Sequence, residues 1–266
     1  MIEAPKKCAV IGNPIHHSLS PLIHNASYKA LKLNFEYQAL DIKNPEKAIK
    51  IMVEKCFQGF SVTLPLKVTI MKYLDEIESM AEKIGAVNTI VNKDGVLNGY
   101  NTDVTGAIRS IKDVMPLQRK TVLLIGAGGA ARAIGFGLKK EQAEITIMNR
   151  SLAKAKSLAK TIDAETISFS PKITQNFDLI INTTSVGLDP KRNESILSDL
   201  PNNCTIMDII YIPFTTKLLQ LALEKNCRII RGTEMFLYQA AEQFILFTGK
   251  KAPINIMRKK LLEKLK

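Results

Sequence analysis

A glycine-rich hexapeptide, Gly126-Ala127-Gly128-Gly129-Ala130-Ala131, lies between the short apolar run Thr121–Ile125 and an Ala- and Leu-rich segment of helical type. Strand, glycine turn and helix in that order suit one task, the gripping of a pyrophosphate. The first glycine of such a unit makes the tight turn, the second lets the backbone approach the phosphates, and a small third residue lets the helix pack against the strand. N–H groups at the helix start then face the anion. A lone fingerprint of this kind is weak, and the next strand strengthens it. Glu144–Met148 runs into Asn149-Arg150-Ser151, where an NAD-binding chain usually carries an acid for the ribose 2′-hydroxyl. A guanidinium cannot accept that hydrogen bond but matches a 2′-phosphate in charge and shape, and Lys154 follows one helical turn later. The expected cofactor is therefore NADP in preference to NAD. The alternative reading of Arg150 and Lys154 is a solvated helix start.

A second group of residues suits work on a small polar substrate. Lys67 closes Thr63-Leu64-Pro65-Leu66-Lys67, just after a strand-like run at 59–64, and ligands of α/β sheets gather at carboxyl ends of strands. Asn88 and Asp103 end otherwise apolar segments on either side of a hairpin turn at Asp94-Gly95, although turn chemistry alone explains either residue. Ser18 and Ser20 precede a helix that runs to about Leu31, with Ser20 placed as N-cap before Pro21. Their hydroxyls at a positive helix end would suit a carboxylate. Tyr211-Ile212-Pro213 ends an apolar strand, so Tyr211 could face a ligand or the core. Gln239 is an amide among the apolar residues of a long helix and needs partners if buried.

The elements that must position these groups alternate strand and helix, with no repeat and no low-complexity linker. The apolar runs at 177–183 and 205–210 suit a buried parallel sheet. The 266 residues allow two modest domains, and a hydrophobic fraction of 46% describes an ordinary globular chain. No apolar run reaches the length of a membrane span and residues 1–7 lead straight into a strand, so the expected location is cytoplasmic, with no membrane partner. Cys8, Cys56, Cys204 and Cys227 are scattered without zinc spacing and read as reduced thiols of the core. His16, His17 and His24 fall in one stretch without further ligands, so no metal site is expected. The net charge of +12 raises the question of nucleic acid, but the lysines are spread along the chain and no recognition motif accompanies them. Anionic small ligands fit the charge equally well.

Nine stretches, taken together, resemble the shikimate dehydrogenase family: GNPIHHSLSP (12–21), SVTLPLK (61–67), GAVNTI (85–90), GYNTD (99–103), GAGGAARA (126–133), NRS (149–151), INTTSVGL (181–188), DIIYIP (208–213) and GTEMFLYQAAEQF (232–244). They keep the family's order over nearly the whole chain. The resemblance implies reversible, NADPH-dependent reduction of 3-dehydroshikimate to shikimate on the route to chorismate. It implies an α/β fold of two domains about a cleft: a substrate domain at 1–103 completed by helices at 235–266, and a Rossmann-type NADP domain at 104–234. It implies that Lys67 and Asp103 are catalytic, that Ser18, Ser20 and Tyr211 meet the substrate carboxylate, and that Thr63, Asn88 and Gln239 hold the ring hydroxyls. Gly126, Ala127, Gly128, Gly129 and Ala130 would cradle the pyrophosphate, Asn149, Arg150 and Lys154 would read the adenosine end, and the Ile209 and Gly232 backbones would border the nicotinamide. Ser61 departs from a common Asn, Leu66 from a usual aromatic or His, and Lys154 from a frequent Arg. The rival readings are a dehydrogenase of broader specificity that also takes quinate, and a non-catalytic ligand sensor. Oligomeric state, monomer or homodimer, is left open.

Overall fold

The computed structural model describes residues 4–173 and 176–265, so the outermost residues of the expected domains, 1–3 and 266, lie outside it. The chain forms two compact units. One is built from the chain up to Thr102 together with Gln239–Lys264, and the other from Asp103–Tyr238.

The first unit opens with β1 (Lys6–Gly12), α1 (Ser20–Ala30), β2 (Phe35–Asp41), α2 (Pro45–Glu54) and β3 (Phe57–Val62). A one-turn helix α3 (Leu66–Thr69), a 3₁₀ turn (Ile70–Tyr73), β4 (Glu76–Ile77), α4 (Ser79–Ile84), β5 (Thr89–Lys93) and β6 (Val96–Tyr100) follow. The six strands form one mixed sheet in the order β2-β1-β3-β5-β6-β4. β1 is apolar and buried from Cys8 onward, as an inner strand must be, whereas β2 alternates and takes the edge. The hairpin β5–β6 turns through Asp94 and Gly95, both with positive φ, the backbone that a two-residue hairpin loop demands. The core gathers Ile11, Met52, Phe60, Leu66, Ile70 and Ile90.

The second unit contains α5 (Asp103–Lys112), β7 (Thr121–Ile125), α6 (Gly129–Lys140), β8 (Glu144–Met148), α7 (Leu152–Ile162), β9 (Glu165–Ile167), β10 (Leu179–Asn182), β11 (Thr205–Asp208), α8 (Lys217–Glu224) and β12 (Arg228–Arg231). All six strands are parallel, in the order β12-β11-β10-β7-β8-β9. Counted from β7, this is the 3-2-1-4-5-6 order of dinucleotide-binding sheets, which reverses direction between β7 and β10. β10 and β11 are buried at every position, with one core cluster holding residues of α5, α6 and α7 and another holding residues of α8. The long helix α9 (Gly232–Thr248) begins in the second unit and ends in the first, and α10 (Ile254–Leu265) closes the chain.

Candidate active site

In the first unit, strand direction alone collects the polar residues singled out above. β1 and β3 are parallel, while β5 runs antiparallel to β3 and β6 antiparallel to β5. The segments after β1, after β3, before β5 and after β6 therefore share one end of the sheet. That end carries Ser18 and Ser20, Thr63 and Lys67, Asn88, and the Asn101-Thr102 pair from which the chain passes to Asp103. Backbone bonds knit these segments together: Asn13 N donates to Leu64 O at 3.0 Å, Val62 N to Asn88 O at 2.7 Å, and Val87 N to Lys67 O at 2.8 Å. Gly12 has to be glycine here, because a Cβ would lie 2.5 Å from Thr63 Cγ2 and 2.7 Å from Leu64 O. Lys67 is half-buried on α3, and Asp103 is buried as the first residue of α5.

Ser20 is not the N-cap. The helix already includes it, Leu19 occupies the cap position, and no side chain caps the helix. Ser18 Oγ instead accepts from Ser20 N at 3.3 Å. Ser20 is itself buried, 4% exposed.

Beneath these residues lies a buried polar network. Tyr37 Oη donates to Ser61 Oγ, which donates to Gln243 Oε1 at 2.7 Å. Gln243 Nε2 donates to Asn88 O at 3.2 Å and to Thr89 Oγ1 at 3.0 Å, and Thr89 Oγ1 donates to Asn88 Oδ1 at 2.8 Å. Asn88 Oδ1 also accepts from Thr102 N at 2.8 Å. Gly59 makes this possible, since its missing Cβ would sit 2.3 Å from the Phe247 ring and hold α9 away from β3. Asn88 and Gln239 stand out in the sequence, whereas Tyr37, Thr89, Thr102 and Gln243 do not, and Ser61 is marked there only as a departure from the family. The available signal was Gln243 itself, four residues after Gln239 and so on the same helix face.

The three histidines do not act together. His16 and His17 are exposed, whereas His24 is fully buried, stacked on Tyr37 with centroids 4.3 Å apart. Burial pushes its pKa down to about 3, so it is a neutral core ring. Among the described residues, no group of His, Cys, Asp and Glu is arranged to hold a metal ion. Cys8, Cys204 and Cys227 are buried thiols, and burial raises Cys8 and Cys204 to about 12. Cys56 is exposed in a left-handed turn between α2 and β3 and is not a core residue, because the chain needs a reversal there.

The second unit places its chemistry at the carboxyl ends of β7, β10 and β11. Gly126 has φ +121°, its N–H donates to Met148 O at 2.8 Å, and a Cβ there would lie 2.2 Å from Thr183 Oγ1. Only glycine meets both demands. Gly128 occupies the cap position of α6 with no side-chain cap, and a Cβ on Gly128 or Gly129 would touch nothing. Ala131 is wholly buried, the small residue that lets α6 pack. Arg150 and Lys154 are exposed at the start of α7, where Asn149 Nδ2 donates to Ser151 O at 3.0 Å. Ile209 and Gly232 come together as backbone, with a Gly232 Cβ only 2.4 Å from Ile209 O.

Three residues not anticipated from sequence anchor the loops at this end. Asn182 and Asp208 are register partners at the last positions of β10 and β11. Asp208 accepts from Asn182 Nδ2 at 3.1 Å, Ile210 N at 3.1 Å and Thr216 Oγ1 at 2.7 Å. Burial outweighs those three donors and pushes its carboxyl up to about 6. β11 stops at Asp208, so Tyr211 lies in the loop beyond the strand, half-buried and stacked on Phe236 at 4.8 Å. Burial raises its phenol above the usual range.

Fold and site together define a class: a two-unit α/β protein whose second unit is a Rossmann-type dinucleotide-binding domain. The chain is 43% identical over 269 aligned residues to a shikimate dehydrogenase (NADP(+)) of Bacillus cereus, covering 96% of this chain and 97% of the relative. It belongs to the shikimate dehydrogenase family. Family models agree along its length: the shikimate dehydrogenase substrate binding domain matches residues 10–90, shikimate / quinate 5-dehydrogenase residues 109–210, and the shikimate 5′-dehydrogenase C-terminal domain residues 232–262. A crystal structure of a shikimate dehydrogenase in complex with NADP+ superposes with a TM-score of 0.95 at 38% identity, over 100% of this chain and 98% of that one. The Thermus thermophilus enzyme in complex with NADP(H) and shikimate gives 0.90 at 31% identity, over 97% and 99%.

Proposed function

We propose that the protein catalyses the reversible reduction of 3-dehydroshikimate to shikimate with NADPH. The observation that carries the reading is the convergence of Ser18, Ser20, Thr63, Lys67 and Asn88 on one end of the first sheet. Serine hydroxyls suit a carboxylate, and the amide and threonine suit ring hydroxyls. Gln239, buried on α9, and Tyr211 complete the substrate set.

NADPH supplies the hydride. The residues present fit that cofactor: the helix start at Gly128 and Gly129 is open to a pyrophosphate, and Arg150 and Lys154 stand exposed where a 2′-phosphate needs cations. Asn149 and the Ala127 and Ala130 backbones would frame the nucleotide, and the Ile209 and Gly232 backbones would border the nicotinamide. Addition of hydride to a carbonyl carbon builds negative charge on its oxygen. Lys67 stabilises that charge and gives the oxygen its proton, and in the reverse direction it takes the proton back. Asp103 orients the lysine and a substrate hydroxyl. This reading gives the protein a small-molecule substrate in the cytoplasm, with no nucleic-acid or membrane partner.

The deciding measurement is nucleotide reduction followed at 340 nm with shikimate and quinate, each paired with NADP and NAD. Turnover is expected with shikimate and NADP above the other three pairs. Turnover that favours quinate would move the protein to the broader-specificity reading, which the shikimate / quinate model at 109–210 keeps in view. Absence of turnover in all four would sink both.

A further inference from the structure

We propose that Cys204 and Cys227 form a redox site, a reversible disulfide staple between β11 and β12 that a small-molecule disulfide closes and a small thiol opens. The site lies at the amino ends of these strands, away from Asp208 at the carboxyl end of β11, and is independent of the proposed reaction.

Strand register brings the two thiols together. β11 and β12 are parallel with Thr205 opposite Arg228, and Arg228 N donates to Cys204 O at 3.2 Å. Cys204 and Cys227 each stand one residue before those partners, so they enter the sheet side by side. Their sulfurs are 3.7 Å apart, and each lies 3.4 Å from Pro201 O. Adjacent strands run about 4.8 Å apart, inside the Cα spacing of about 4.4–6.8 Å that a disulfide accepts. Closing the sulfurs to about 2 Å therefore asks for side-chain rotation and little movement of the sheet.

Both cysteines are buried, 3% and 6% exposed, yet each sits directly beneath an exposed turn. Asn203 and Asn226, the residues just before them, are exposed and left-handed, with φ +59° and +56°. Burial raises the Cys204 thiol to about 12, so thiolate is scarce in the closed fold and exchange waits on opening of these turns. In the exchange, the thiolate of one cysteine attacks a sulfur of the small disulfide RSSR. This gives a mixed disulfide and a leaving thiolate, which takes up the displaced proton as RSH. The second cysteine then attacks the protein-side sulfur and releases a second RSH. Two protons and two electrons pass from the protein to RSSR. With the second thiol already in place, the mixed disulfide does not persist.

The other two cysteines serve as internal controls. Cys56 is exposed, and Cys8 is wholly buried in the other unit. The test treats folded Cys56→Ser protein with oxidised glutathione, unfolds it in N-ethylmaleimide and reads the intact mass. The expected product carries a single label, at Cys8, and no glutathione. Reduction with dithiothreitol before labelling should restore labels at Cys204 and Cys227. The thermal midpoint of the oxidised form should rise by roughly 5 °C or more, because the link joins residues 23 positions apart. A lasting glutathione adduct on Cys204 or Cys227 overturns the proposal. So do labels on all three cysteines after prolonged treatment, or a midpoint that stays level or falls. In Cys56→Ser/Cys204→Ser no internal link should form, and one between Cys8 and Cys227 would equally overturn the pairing. If Cys56→Ser does not fold, peptide mapping of the treated wild type reads the Cys204–Cys227 link directly.

Discussion

At the working end of the first sheet, Asn88, Thr89, Thr102, Ser61 and Gln243 are buried and bonded to one another, so their directions are set before any ligand arrives. At the switch point of the second sheet the groups on offer are bare backbone at Gly128 and Gly129 and the exposed cations Arg150 and Lys154. The contrast follows from the two proposed ligands. A small polyhydroxylated acid is distinguished by where each hydroxyl points, which demands donors and acceptors held in fixed geometry. A dinucleotide is gripped through phosphates, whose charge acts over several ångströms and is served by open N–H groups and solvated side chains.

The largest effect should come from the chemistry that the fixed end is built to serve. Lys67→Ala is expected to lose turnover by about 10²-fold or more, the usual range for a general acid, with shikimate binding little changed. Near-normal turnover in that variant would mean that the wired end only binds.

The second test concerns Asp208, the buried anchor in an otherwise open end. Its carboxyl titrates near 3.8 in the unfolded chain and about 6 in the folded one. The folded state holds the proton more tightly, so this group's contribution is fully present below about pH 4 and is lost as the pH rises through 6. Asp208→Asn keeps an acceptor for Asn182 and Ile210 but does not titrate. Between pH 4 and 7, denaturant unfolding should show the wild type losing on the order of 2 kcal/mol relative to the variant. Parallel pH profiles would show that the anchor does not titrate in this range.

The smallest effect sits at the most solvated group. Arg150→Ala should raise the KM for NADP about tenfold, as for one charge-assisted hydrogen bond, and leave the KM for NAD where it was. Equal changes for both nucleotides would remove the 2′-phosphate from the account of this residue.

The same contrast separates what the sequence disclosed from what it hid. The glycine turn at 126–131, Arg150 after β8 and the hairpin at Asp94-Gly95 are local: the residue type and the backbone it serves lie within a few positions. The parallel character of the second sheet was legible in the apolar runs at 177–183 and 205–210, whereas its strand order was not. The Ser61–Gln243 bond joins residues 182 positions apart, and no local pattern encodes it. Ser20 differs for a local reason: a serine before Pro21 looks like a cap, but the helix starts at Ser20 itself and Leu19 takes the cap position. Asp208 lies inside the run at 205–210, where nothing local sets it apart, and its weight comes from Asn182 and Thr216 on other segments.

The space around Gly128 and Gly129 has one more implication. Neither backbone adopts the left-handed region, and a methyl group on either would touch no neighbour. Folding therefore gains nothing from glycine at these two places, and the unfolded chain's extra freedom there opposes it. An alanine at either position would not lower thermal stability while standing where the proposed cofactor's phosphates would lie, so surviving heat and retaining the nucleotide are separable properties at this corner of the molecule.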